Sequence, residues 1–596
     1  WPGAIVRSGG AVRRALSRLA PPTAVEPHEL AVLPKAKSYE EMVRKFDWVY
    51  VLPEYFNISW AACDRHALAP ESRRRPAVVH HLHSGESKTV TFGELKETSD
   101  KLANALVHGL GLEKGDRVGI LMPQRPETAI AHMATYKAAC IAVPLFTLFG
   151  LDALQYRLQN SGCKVLFVEP ESVEKIQAIR SSLPDLQTVV VVESEETGKP
   201  QSLPEGMRHY DRLLEESNSE DVSQATLADD PAMIIFTSGT TGSPKGALHA
   251  HRVLLGHLPG IEFPHNLFPR SSRPETPQCF YTPADWAWIG GLIDVMLPSL
   301  YYGVPVLAHR AKKYDPEFVI WLMHKYGVTN TFMPPTALKL MKQQSGLKKA
   351  GFLHSVASGG ESLGTKLLKW GEEQFGLTIN EFYGQTEANL LVGNSAHVTP
   401  VKQGSMGVAI PGRTIAVVNE AGEEVPRGTV GVIAAKRPDP IMFLGYWQNE
   451  KATKEKFIGD WLITGDLAKQ TEDGYFYFFG REDDVINSAG YRIGPAEVEE
   501  CIMKYPGVAM CAVIGAPDEI RNEIVKAFCI LREGVAGDEK FKKGLQDYVK
   551  AQLAAYEYPR EIEFVRELPM TTTGKIQRNI LKAQELNRRK GSSGDL

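Results

Sequence analysis

Residues 237–246 read Thr-Ser-Gly-Thr-Thr-Gly-Ser-Pro-Lys-Gly and directly follow the apolar run Ala232–Phe236. Thr237, Ser238, Gly239, Thr240, Thr241 and Gly242 offer backbone N–H groups and hydroxyls suited to wrapping an anion, and Lys245 adds a fixed positive charge. The spacing is not that of a Walker A loop, in which the lysine precedes Ser or Thr; here Lys245 precedes Gly246. The plain alternative is a Gly/Ser-rich turn that binds nothing. The density of hydroxyls and glycines and the Pro-Lys-Gly ending favour phosphate.

Three more segments fit a nucleotide. Gly359, Gly360 and Glu361 stand in Ser358-Gly-Gly-Glu-Ser362 after a mostly apolar stretch, where glycines let backbone approach a flat base. The run Glu381-Phe382-Tyr383-Gly384-Gln385-Thr386-Glu387 holds an aromatic face, a hydroxyl and a carboxylate within seven residues. These suit stacking on adenine, a phosphate hydrogen bond and Mg²⁺ ligation. Asp466 follows Trp461–Gly465, and an acceptor-only carboxylate there suits a ribose diol. Taken alone, a Thr-Gly-Asp is a common turn.

These segments need a scaffold, and the pattern supplies one. Val118–Met122 reads as a strand and Pro126–Cys140 as a helix, with later strand-like runs at Val165–Val168, Val189–Val192, Met233–Phe236, Val304–Leu307 and Val328–Phe332. Apolar runs separated by helical segments indicate βαβ units and parallel sheet buried on both faces. The polar stretches Glu193–Gly206 and Pro269–Pro277 read as surface loops. After about residue 410 strands and turns come closer together, at Ile415–Asn419, Val430–Ala434 and Tyr475–Phe479. A compact α/β piece follows Arg481, which places a boundary near 481–484.

Composition narrows the function classes. The 596 residues carry 67 Lys+Arg against 71 Asp+Glu, a net charge of −4, so nucleic acid is a poor default partner. No apolar run is long enough for a spanning helix. The seven cysteines are scattered with no CxxC pair, which argues against a disulfide framework or a Cys-rich zinc site. His249 and His251, and His80, His81 and His83, lack the ligand spacing of a metal centre. Residues 1–25 contain Arg7, Arg13, Arg14 and Arg18 and no acid. They read either as a mitochondrial transit peptide, with a short helix over Ala11–Leu19, or as a disordered basic leader. The expected location is accordingly the mitochondrial matrix, otherwise the cytoplasm.

The set 237–246, 381–387, 463–467, 480–494 and 569–575, in that order, resembles the adenylate-forming, or AMP-binding, superfamily. Within it, 487–499 and 558–564 look most like medium-chain acyl-CoA synthetases, whereas 144–150 looks closer to bacterial-type enzymes. The resemblance implies an α/β fold: a large N-terminal adenylate-forming domain of parallel α/β sheets plus a small β subdomain, with a smaller mobile α+β C-terminal domain. It divides the chain into a leader at 1–25, an N-terminal AMP-binding domain at 30–482, a C-terminal lid at 483–585 and a tail at 586–596.

It also implies two half-reactions. A carboxylic acid, a medium-chain fatty acid by this likeness, attacks Mg·ATP to give acyl-adenylate and pyrophosphate; coenzyme A then displaces AMP. Lys575 would stabilise the charged adenylation transition state, Thr386 and Glu387 would hold the α-phosphate and Mg²⁺, and Asp466 and Arg481 the ribose. Asp483 would be the hinge. Ala489, Gly490 and Tyr491 would line the pantetheine tunnel, and Arg492 would lie near the acyl-phosphate. Arg521 and Lys550 are either contacts to coenzyme A phosphates or exposed charges. Gly384 stands where acetate-specific relatives carry a blocking tryptophan, and Trp286 reads as acyl-pocket lining or core. A carrier-loading adenylation enzyme and a non-catalytic subunit are the competing readings; Lys575, Glu387 and Asp466, whose loss would mark the latter, are all present.

Overall fold

The computed structural model describes residues 26–48, 51–194, 197–198, 202–237, 244–270, 277–311, 313–360, 363–481, 484, 486–488, 491–518, 521–553, 557–571 and 575–592. Two large sheets carry the N-terminal part. One runs, in spatial order, Gly445–Tyr446, Lys245–Ala250, Pro231–Thr237, Ile141–Pro144, Arg117–Leu121, Val165–Val168, Thr188–Val191 and Met207–His209. From Pro231–Thr237 onward it is parallel, and only the Lys245–Ala250 side is antiparallel. The other runs from Val408–Ala409 through Asn389–Gly393, Asn380–Gln385, Ser355–Gly359, Asn330–Phe332, Phe280–Tyr281, Val306–Ala308 and Pro76–His81 to Ser87–Thr91. Its central strands are parallel.

The expected parallel strands sit in these sheets because both faces are covered. The main core lies between the sheets and takes Val118 and Ile120 from one, Ala77, Phe280 and Val306 from the other. The helices Pro126–Lys137 and Val253–Glu262 fill that layer, and all ten residues of the latter are buried. This explains why neither shows a polar face in sequence. Amphipathic helices cover the outer faces: Leu151–Ser161 and Val173–Ile179 on one sheet, Pro316–Lys325, Pro335–Gln343 and Thr365–Phe375 on the other. The helix expected over Pro126–Cys140 ends three residues early. Ala139 adopts a left-handed φ of 51°, turning the chain into the strand Ile141–Pro144.

A smaller antiparallel sheet follows: Ile415–Val418, Val430–Lys436, Trp461–Gln470 and Phe457–Ile458, with Phe476–Arg481 also paired to Trp461–Gln470. The C-terminal piece is α+β. Its sheet of Ile486–Ser488, Tyr491–Ile493, Val508–Asp518, Asn522–Leu531 and Glu561–Phe564 packs on Pro495–Met503 and Glu539–Gln552 around Ile486, Val498, Val513 and Leu545. The last helix, Arg578–Ser592, extends past residue 585. Among the described residues no helix is long and apolar enough to cross a membrane.

Candidate active site

The chemistry-bearing segments meet at the carboxyl ends of the parallel strands, where open α/β sheets bind ligands. Thr237 ends one strand and stands in register opposite Lys245, which begins the next; the Thr237 hydroxyl donates to the Lys245 carbonyl at 3.3 Å. Gly246 allows this close pairing, because a Cβ there would lie 2.7 Å from Ile234 Cγ2. Ser238, Gly239, Thr240, Thr241 and Gly242 lie outside the described residues, as do Glu361, Asp483, Ala489 and Gly490.

Gly359 and Glu381–Gln385 come from neighbouring parallel strands in the other large sheet. A Cβ on Gly359 would sit 2.3 Å from Phe382 Cε2, so only glycine admits this aromatic ring. Phe382 also packs on Phe332, with ring centres 5.4 Å apart. Gly384 pairs with Leu390 beside an irregularity in the hairpin, and a Cβ there would lie 1.8 Å from the Asn389 carbonyl oxygen. The backbone therefore requires glycine at 384, independently of any room it leaves for an acyl chain. Burial pushes the Glu381 carboxyl up to about 8, with Glu500 of the C-terminal piece adding to the rise.

Two tyrosines knit these pieces to the smaller sheet. The Tyr383 hydroxyl donates to Asp466 Oδ2 at 2.6 Å, and Gln385 Nε2 donates to the Thr464 carbonyl at 3.3 Å. Asp466 is buried and directly opposite Arg481, whose Nη1 lies 3.5 Å from Oδ1. Gly465, at φ 76°, makes the turn that aims the carboxylate. Tyr446 enters on the edge strand beside Lys245–Ala250 and donates to Glu387 Oε1 at 2.5 Å. The Lys245 ammonium lies 5.3 Å above the Tyr446 ring.

Lys456 completes the group. Its ammonium donates to the Thr464 carbonyl at 3.3 Å and sits in the field of Glu387, Arg481, Asp466 and Lys245. Burial is the largest influence and lowers its pKa below the ordinary lysine value. Sequence reasoning missed both Tyr446 and Lys456. Each is a single residue in a turn-rich stretch, and no local pattern marks it.

Glu387 fits a divalent cation brought in with nucleotide. It is a buried hard-oxygen donor, and the one hydrogen bond its carboxylate makes among the described residues, at Oε1, leaves Oε2 available. Among the described residues no cluster of three or more His, Cys, Asp or Glu could hold an ion. His249 and His251 are buried in the core layer, in keeping with packing.

The remaining residues are dispersed. Trp286 is fully buried in the main core, while Trp288 is half-buried and packs on Phe146 and Phe149. Tyr491 and Arg492 lie on a hairpin strand opposite Ser488 and Asn487. The Arg521 N–H donates to Asp518, and exposed Lys550 lies 4.0 Å above the Tyr558 ring. Lys575 is exposed; its N–H donates to the Thr571 hydroxyl and its carbonyl accepts from the Thr571 N–H. Beside the expected hinge, Asp484 pairs with Arg578 at 3.6 Å and Lys582 at 3.5 Å, tying that point to the last helix.

A family model described as AMP-binding enzyme matches residues 65–447, and one described as AMP-binding enzyme C-terminal domain matches 497–575. The chain belongs to the AMP-binding enzyme family. This AMP-binding enzyme is 34% identical to the acetyl-coenzyme A synthetase of Bacillus subtilis over 564 residues, covering 92% of this chain and 96% of that one. It is 34% identical to the mitochondrial acyl-coenzyme A synthetase ACSM2 of Rattus norvegicus over 544 residues, with 90% and 92% covered. An anthranilate CoA ligase, AuaEII, solved with anthranoyl-AMP, superimposes with a TM-score of 0.80 at 28% identity, covering 90% of this chain and 99% of that one. As an enzyme it is an acid–thiol ligase of the AMP-forming, acyl-CoA synthetase type.

Proposed function

We propose that this enzyme activates a carboxylic acid of medium chain length with ATP and passes the acyl group to coenzyme A. The observation that carries this reading is the convergence of Lys245, Glu387, Lys456, Asp466 and Arg481 at the strand ends, with two tyrosines fixing the carboxylates.

In the first step a carboxylate oxygen of the acid bonds to the α-phosphorus of ATP, and the bond to pyrophosphate breaks. The nucleophile is already an anion, so the site must neutralise charge more than move protons. Asp466 accepts from the ribose hydroxyls, with Tyr383 and Arg481 orienting its oxygens. Thr386, Lys245 and Lys456 face the phosphates, and the hydroxyls and glycines of the sequence 237–246 supply donors to them. Glu387 would hold Mg²⁺, which supplies charge neutralisation on the phosphates when bound. Lys575 stabilises the charge that builds at the α-phosphate. In the second step the thiol sulfur of coenzyme A bonds to the acyl carbon, the bond to AMP breaks, and the thiol proton leaves to solvent. The C-terminal piece turns about Asp483 between the steps, bringing residues 489–492 to the site. Arg521 and Lys550 meet the phosphates of coenzyme A. The acid-free, arginine-bearing residues 1–25 are read as a mitochondrial import signal.

The test is AMP release with Mg·ATP, coenzyme A and acids from acetate to dodecanoate plus benzoate, for the wild type and Lys575→Ala. An optimum at medium chain length, lost in the variant, supports the reading. Absence of acid-dependent AMP with every member, while ATP still binds, overturns it.

A further inference from the structure

Lys575 stands on a frame that the C-terminal piece builds from distant residues. Residues 569–571 and 575–577 pair antiparallel. Met570 lies opposite Ile576, the Thr571 N–H donates to the Lys575 carbonyl at 2.7 Å, and the Gln577 N–H donates to the Pro569 carbonyl at 2.9 Å. Met570 and Ile576 pack on a cluster of Ala512, Ile514, Phe528, Leu568 and Leu581, which fastens the pair to the sheet. The Lys575 side chain itself is exposed, so this frame decides where its flexible stem can deliver the ammonium.

Arg578 ties the frame to two other parts of the C-terminal piece. Its Nε and Nη2 donate to Glu499 Oε1 and Oε2 at 3.0 and 2.6 Å, and its Nη1 lies 3.6 Å from Asp484 Oδ2. The Arg578, Glu499 and Asp484 side chains are only 17%, 14% and 16% exposed, so water and salt screen them weakly. Glu499 belongs to the helix Pro495–Met503, and its Oε1 also accepts from the Val513 N–H at 2.8 Å. Asp484 adjoins the hinge expected at Asp483, and its N–H donates to the Arg481 carbonyl at 3.1 Å. A forked arginine–carboxylate pair fixes direction as well as distance, which a lysine point charge does not. The segment assigned to the second step is held separately: Tyr491–Ile493 pairs with Ile486–Ser488, and Ser488 with Asn522.

We propose that Arg578 is a positioning residue for adenylation: its fork on Glu499 and its contact with Asp484 lock the segment bearing Lys575 to the hinge side of the C-terminal piece, so that the lysine reaches the α-phosphate in register. This rests on the acyl-CoA synthetase reading above, in which Lys575 serves the first step. Arg578 touches no substrate and acts through Lys575 alone.

The experiment separates the two half-reactions, using the fastest acid of the panel above and its synthetic acyl-adenylate. ATP–pyrophosphate exchange reports the first step, and thioester formation from supplied acyl-adenylate and coenzyme A reports the second. Misplacing a catalytic group by about 1 Å costs on the order of 10²-fold, so Arg578→Met should lose exchange to about that extent in kcat. KM for ATP should stay within about twofold, since the ribose and phosphate contacts are intact, and the second step should fall less than about threefold. Arg578→Lys, which keeps the charge but not the fork, should lie between wild type and Arg578→Met. In a Lys575→Ala background, Arg578→Met should cost no further exchange, because the two residues act as one unit. The ratio of the two steps is taken within one preparation and is insensitive to partial unfolding, and Arg578→Lys carries the same comparison if the methionine variant fails to fold. Equal loss in both steps, no loss in exchange, or a further loss in the Lys575→Ala background would overturn this proposal and leave the synthetase reading standing. Exchange supported by no acid, or undiminished in Lys575→Ala, overturns the reading on which it rests.

Discussion

The hydroxyl of Tyr383 donates to Oδ2 of Asp466 at 2.6 Å, joining a strand of the nine-stranded sheet to a strand of the small antiparallel sheet. The two residues are 83 positions apart, and the bond sets the direction of the carboxylate we assign to the ribose. A hydrogen bond to a buried charge contributes about 1.5–3 kcal/mol, so Tyr383→Phe should raise KM for ATP roughly 10- to 100-fold. The kcat should change little, because ribose binding is common to ground and transition states. Initial rates against ATP concentration give the answer; an unchanged KM would remove Asp466 from the ribose.

Lys456 offers a second check. Its ammonium lies among the charges of the site, and Lys456→Met should lower acid-dependent ATP–pyrophosphate exchange by about 10²–10³-fold if it faces the phosphates. Its pKa is lowered, so the proton is lost as pH rises at a lower pH than for an ordinary lysine. The alkaline loss of exchange seen in the wild type should therefore move upward in Lys456→Arg, which stays charged. Identical alkaline limbs would assign Lys456 to packing.

Glu381 predicts a pH effect on nucleotide affinity. With its carboxyl pushed up to about 8, it is neutral below that pH and anionic above it. On the proposed reading Glu381 belongs to the ATP site, where a new negative charge weakens polyphosphate binding, so KM for ATP should rise about 3- to 10-fold between pH 7 and 9. Glu381→Gln should give a flat profile over the same range. A rise that persists in the glutamine variant belongs to another group.

Gly384 predicts a change in stability rather than specificity. A Cβ would meet the Asn389 carbonyl oxygen at 1.8 Å, and backbone cannot yield as a side-chain tip can. Gly384→Ala should destabilise the fold by about 1–3 kcal/mol, read from the denaturant midpoint. An unchanged midpoint would show that the hairpin relaxes, and the glycine would then bear on acyl size alone.

The local chemistry is legible in the amino-acid order because it is compressed into short runs. The hydroxyl- and glycine-rich run at 237–246 and the aromatic, hydroxyl and carboxylate groups of 381–387 each lie within ten residues. The apolar runs also mark the parallel sheets, since strands covered on both faces carry no polar alternation. Boundaries read less well. The end of the helix at Lys137 depends on a left-handed Ala139, which no composition announces. Trp286 reads as acyl-pocket lining ahead of core, and its side chain is fully buried in the main core cluster.

The kinds of group available, their order and the sheets that carry them follow from the chain's local pattern, because those are properties of neighbouring residues. Which of the groups meet is a matter of packing over long separations. Tyr383 reaches Asp466 across 83 residues, Tyr446 reaches Glu387 across 59, and Lys456 joins them with no motif of its own. His257 and Asp294 come together in the same way, from two separate helical stretches buried in one core layer. Such pairings depend on register, strand order and exclusion of water, which local pattern does not encode.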